Sequence, residues 1–132
     1  MQTGKRAAHA SNYGFSLIEV LVALAIVASI LTIAAPKYFT SVEKAKEAVL
    51  KENLYIMRDA IDKFRADQGQ YPNVLADLVT KKYLRTIPPD PFTDSPNSWI
   101  IVPPSNASAG AVQDVKSSAP NQARDGTWYK DW

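Results

Sequence analysis

The chain has 132 residues, a formal net charge of +2, no cysteine and one histidine, His9. Those counts allow one domain of ordinary size, and they exclude a disulfide framework, thiolate chemistry and any catalytic pair or metal cluster built from histidines. Setting aside Lys5 and Arg6, which precede Gly14, leaves 13 basic residues against 13 acidic ones, a balance that argues against a broad basic surface for nucleic acid.

The first element is a short polar stretch, residues 1–14, in which His9 reads as a solvated residue. An apolar run of 21 residues follows, 15–35. As a helix it would span about 32 Å at about 1.5 Å per residue, enough for a hydrocarbon core of about 30 Å. Its polar residues are Ser16, Glu19, Ser29 and Thr32. The hydroxyls can return hydrogen bonds to the helix backbone, but an ionised Glu19 in a bilayer is costly unless it has a partner or a function. Lys5 and Arg6 favour a cytoplasmic N-terminus, with the rest of the chain on the far side. A secretory signal peptide would have a shorter apolar region. A plain single-span anchor accounts for the length and leaves Glu19 unexplained.

Beyond Pro36 the spacing of Leu50, Leu54, Met57, Ile61 and Phe64 predicts one apolar face of a continuing amphipathic helix. Glu47 with Lys51 and Asp59 with Lys63 are placed as i,i+4 pairs on the opposite side. The whole helix is expected over about 15–67, stopped near Gly69 and Pro72, with Pro36 able to kink it or let it melt locally. A second short helix is expected within 74–83, a proline-punctuated connector over 84–92, a strand over 99–102, a loop over about 105–110 and a second strand over 111–116. The aromatic tail, 125–132, is expected to fold back on the helix.

The string from Gly14 through Phe15, Ser16, Leu17 and Ile18 to Glu19, with a basic leader before it and Pro36 closing the apolar run, resembles the processing site of type IV prepilins and type II secretion pseudopilins. The glycine-x-tyrosine-proline string ending at Pro72 and the connector through Asp90, Pro91 and Phe92 are similar to pseudopilin segments. This resemblance implies an α+β pilin-like fold: a long N-terminal helix, transmembrane in its first half, packed on a short second helix and a small antiparallel sheet. It implies a cleaved leader at 1–14, a membrane and polymerisation half at 15–36 and a periplasmic globular domain at 37–132. Cleavage after Gly14 and N-methylation of Phe15 by a prepilin peptidase would follow. Glu19 would neutralise the terminal amine of a neighbouring subunit, and Pro36 falls on the family's proline. The implied function is a major, G-type pseudopilin without enzymatic activity. It would form a homo-oligomeric helical filament with minor pseudopilins, an inner-membrane assembly platform and an assembly ATPase. A type IV pilin is the alternative within the fold, and a membrane-anchored binding module that never polymerises is the alternative outside it.

The resemblance also raises calcium, which major pseudopilins bind in a C-terminal loop. Asp114, Ser117, Asp125 and Asp131 could supply some of its six to eight oxygen ligands. Their spacing does not reproduce a complete motif, and turn aspartates exposed to water are the competing reading. Trp99, Trp128, Tyr129 and Trp132 could stack on bases or sugars, or instead fill the core of a small sheet.

Overall fold

The computed structural model describes residue 4 and residues 14–132; Lys5, Arg6 and His9 lie outside the described residues. Helix α1 runs Leu17–Gln68, and α2 spans Asp77–Thr80. Strands β1, Ile100–Val102, and β2, Asp114–Lys116, form a two-stranded antiparallel sheet in which Ile101 faces Val115. Single 3₁₀ turns lie at Ala107–Ala109 and Tyr129–Asp131. The α+β expectation holds. The chain divides into two units, Met1–Phe39 and Thr40–Trp132.

In the first unit α1 exposes its large apolar side chains, among them Leu17, Ile18, Leu24, Ile30 and Ile33. The Ser29 hydroxyl donates to the Ala25 carbonyl at 2.8 Å and that of Thr32 to the Ser29 carbonyl at 2.6 Å, so these polar groups are satisfied within the helix. Pro36 lies inside α1, which stays helical through it. Proline costs one backbone donor there, which a long helix can absorb when its neighbouring turns are intact.

In the second unit the expected face of Leu50, Leu54, Met57, Ile61 and Phe64 is buried, together with Ala60. It meets Tyr71, Leu78, Trp99, Val112, Val115, Ala119, Ala123 and Tyr129 in one core. The helix ends where glycine allows it to. Gly69 takes φ +74° and donates to the Arg65 carbonyl at 2.9 Å, closing the last turn in a left-handed conformation.

The short elements are shorter than expected, for local reasons. Asp77 spends its carboxylate on the amides of Asn73 and Val74, at 3.1 and 3.2 Å, so the residues before α2 form a turn. Lys82 adopts φ +66°, ending the helical conformation after Lys81. The second strand begins at Asp114 rather than Ala111 because Ala111 and Val112 donate to the Pro72 carbonyl, at 3.1 and 2.9 Å. Tyr71 donates to Ala109 across the same seam at 2.7 Å. Gly110 permits that approach: a Cβ on it would fall 2.3 Å from the Tyr71 carbonyl oxygen.

The predicted helix pairs part company. Lys63 bonds Asp59 at 2.8 Å, and that hydrogen bond raises the lysine's pKa above its usual value. Glu47 instead accepts from the Arg124 amide and the Tyr129 hydroxyl, both at 2.9 Å, while the Lys51 ammonium lies 4.8 Å from the Trp132 ring centre. Two donors fixed by the fold outcompete an exposed flexible ammonium.

Candidate processing and assembly site

Phe15, two residues before α1, and Glu19, in its first turn, are both exposed and stand four residues apart. Ser16 and Glu19 bond each other reciprocally. The Ser16 hydroxyl accepts from the Glu19 amide at 3.3 Å, and the Glu19 carboxylate accepts from the Ser16 amide at 3.4 Å. This is the arrangement of a capping box, which satisfies two backbone donors left over at a helix start. It gives the Glu19 carboxylate a local backbone donor, a partner that the apolar run alone did not offer. A serine three residues before a glutamate, ahead of an apolar run, was the available signal. Both bonds are long, so the carboxylate is directed toward the helix start and only weakly held there. Its negative charge also lies at the positive end of the helix dipole.

The four residues expected to supply calcium ligands are taken up differently. The Asp114 carboxylate accepts from Arg58 Nε at 2.7 Å and from the Val115 amide at 2.8 Å. Ser117 is buried and donates its hydroxyl to Asp90 at 2.5 Å while accepting from the Ala119 amide at 3.1 Å. Asp125 accepts from the amide and hydroxyl of Thr127 in a turn, at 3.0 and 2.6 Å; these bonds, the hydroxyl's first, hold its carboxyl below the usual range. Asp131 lies in the last 3₁₀ turn. Among the described residues no group of three or more acidic or histidine side chains is placed to hold a metal ion. A guanidinium beside Asp114 and a buried Ser117 do not suit calcium, which needs six to eight oxygens converging on one point.

Arg58 instead gathers the tail. Besides Asp114 it donates to the main-chain oxygens of Val115, at 3.1 Å, and Trp132, at 2.7 Å. One cation on α1 thus holds β2 and the last residues together. Asp90, missed in the sequence, plays a similar part in the connector. It is fully buried, accepts from the Phe92 amide at 2.8 Å and from Ser117, and leaves no polar atom unpaired.

The aromatics divide. Tyr129 stacks on Phe92 with ring centres 4.1 Å apart, meets Trp132 edge-on at 5.0 Å and is buried; Trp99 is buried and donates to the Pro88 carbonyl at 2.8 Å. These belong to the core. Trp128 alone of the four is exposed, at 42%. Burial, and then the Glu47 bond, push the Tyr129 hydroxyl up to about 12.

The family described as the prokaryotic N-terminal methylation motif matches residues 10–35. The chain is similar to the type II secretion system core protein G of Xanthomonas campestris pv. campestris, with 26% identity over 72 residues covering 54% of this chain and 50% of that protein. It is also similar to the proteins of the same name from Escherichia coli K12, 22% identical with 82% and 81% of the two chains covered, and from Pectobacterium carotovorum subsp. carotovorum, 25% identical with 70% and 74% covered. The chain therefore matches half the length of the Xanthomonas relative and about four fifths of the E. coli one. No solved structure matches it. The methylation motif extends to residue 35, within a helix long and apolar enough to cross a membrane, and the two together point to a membrane-anchored chain.

Proposed function

We propose, for a chain that belongs with the G-type pseudopilins of type II secretion, the role of major structural subunit of a periplasmic pseudopilus. The observation that carries this is Glu19, a carboxylate directed to the start of an otherwise apolar, exposed helix, just past Gly14 and Phe15. Cleavage after Gly14 frees the Phe15 amine, which the peptidase then methylates. Glu19 pairs with the Phe15 amine of a neighbouring copy, exchanging its one weak local bond, from the Ser16 amide, for a charged partner. An unpaired carboxylate penalises every wrong stagger, so the same group drives addition and sets register. The exposed apolar face gives up lipid for the same face of its neighbours, a nearly balanced exchange that suits repeated growth and retraction. The basic leader puts the N-terminus in the cytoplasm and Thr40–Trp132 in the periplasm. A membrane platform and its ATPase extract the subunit from the inner membrane, minor pseudopilins begin the filament, and growth drives folded proteins through the outer membrane. The chain's part is structural, not enzymatic.

A deletion strain tests this by proteomics of its culture supernatant and microscopy of its sheared surface fraction. Exoproteins trapped in the periplasm while surface pili persist is the expected result. An unchanged supernatant with loss of long filaments would make the protein a pilin. An intact mass that retains residues 1–14 in the membrane-extracted protein would make it an anchor that never polymerises.

A further inference from the structure

Directly after the apolar run, Lys37, Tyr38 and Phe39 present a surface that neither the methylation motif nor the Glu19 site uses. Tyr38 is 66% exposed and Phe39 67%, and the two rings meet edge to face at 5.9 Å between centres. Two adjacent exposed aromatic rings are unusual on a water-facing helix, where they bury little and would favour association.

We infer that Lys37, Tyr38 and Phe39 form an interfacial anchor that binds the phospholipid headgroup layer and fixes the depth of α1 in the bilayer. Length along the helix supports that placement. With residues 17–35 filling the hydrocarbon, Tyr38 lies about 4.5 Å and Phe39 about 6 Å beyond Ala35, within the headgroup layer of about 5–7 Å on each side. Direction supports it as well. Side chains on a helix lean toward its N-terminus, so both rings tilt back toward the acyl boundary rather than out into water. The chemistry fits too, because the tyrosine has an apolar body with a hydroxyl that can meet ester and phosphate oxygens. Lys37 carries its ammonium on a long apolar stem, suited to reaching phosphate from the edge of the hydrocarbon. The inference rests on membrane anchoring and does not depend on the filament role.

The absence of native cysteine makes the test direct. Single cysteines replace Ile33, Tyr38, Phe39 or Val74 in the full chain, carry a nitroxide, and are reconstituted at high dilution into vesicles of phosphatidylethanolamine and phosphatidylglycerol. Power-saturation spectroscopy then compares oxygen with a water-soluble nickel chelate as relaxing agents. The expected pattern is a hydrocarbon signature at Ile33, an intermediate one at Tyr38 and Phe39, and an aqueous one at Val74. In the Ile33→Cys background, Tyr38→Ser with Phe39→Ser should change the ratio of the two accessibilities severalfold. Labels at 38 and 39 as aqueous as Val74, or as deep as Ile33, would overturn the inference. So would an unchanged Ile33 depth in the double serine variant. Spin–spin broadening at Tyr38 that persists on dilution would show a second copy covering the rings instead. Normal depths in the vesicles together with an unchanged supernatant in the deletion strain would break the secretion reading alone.

Discussion

The two stretches of α1 are built on one backbone pattern and completed differently. Over residues 17–35 the apolar side chains are exposed, and no part of that segment is buried within the chain. Over residues 50–64 a stripe of the helix is buried and most of the remaining side chains are charged or polar, so the fold itself completes that stripe. An all-round apolar helix needs a solvent other than water, whereas a striped one needs only its own domain. The difference separates side chains that the chain's own fold buries from side chains that it leaves to another environment.

Glu19→Ala should give the largest effect and divide the two stretches most sharply. Filament yield after shearing should fall to background, while leader cleavage and the melting temperature of the full chain in detergent stay unchanged. A normal yield would remove Glu19 from assembly. Leu54→Ala should do the reverse, lowering stability by about 2–5 kcal/mol through a core cavity and the melting temperature by about 10 °C or more, with membrane insertion intact. Arg58→Met leaves Asp114 and two main-chain oxygens without their charged donor. Arg58 and Asp114 side chains are each 35% exposed, so the loss should lie near the low end of about 1–3 kcal/mol. Faster proteolysis of residues 112–132 should report it.

Tyr129→Phe should cost about 1 kcal/mol at neutral pH by removing the bond to Glu47. Because folding raises the hydroxyl's pKa from 10.0 to about 12, its contribution is whole below pH 10 and declines as pH rises toward 12. The variant should lack that alkaline decline, which a melting series from pH 8 to 11 would detect. Calcium should have the smallest effect. Binding at a hundredfold excess over its dissociation constant would add about 2.7 kcal/mol, so an unchanged melting temperature with calcium or chelator is the expected result. A clear rise would restore a calcium site that the side chains do not form here.

The buried stripe was legible in the sequence because helical periodicity survives any detail of packing, and Leu50, Leu54, Met57, Ile61 and Phe64 follow it without exception. The methylation motif was legible because its residues are contiguous. The extents of α2 and β2 were not, since they depend on which carbonyl captures which amide: Asp77 takes two amides ahead of α2, and Pro72 takes two ahead of β2. Nor was the tail. Glu47 stands four residues from Lys51 and yet bonds groups 77 and 82 residues away, and Arg58 reaches 56 to 74 residues along the chain. Such pairings are fixed by tertiary proximity, about which local spacing says little.

The reciprocal bonds of Ser16 and Glu19 have a kinetic meaning. A free glutamate side chain samples many rotamers, and ordering it costs up to about 2 kcal/mol of entropy. Here part of that ordering precedes the encounter. At 3.4 Å the Ser16 amide holds the carboxylate weakly enough for the exchange that the proposed assembly role requires. An incoming amine would meet an acceptor already aimed, so the capture step should be limited by the arrival of the subunit and not by a search of the side chain.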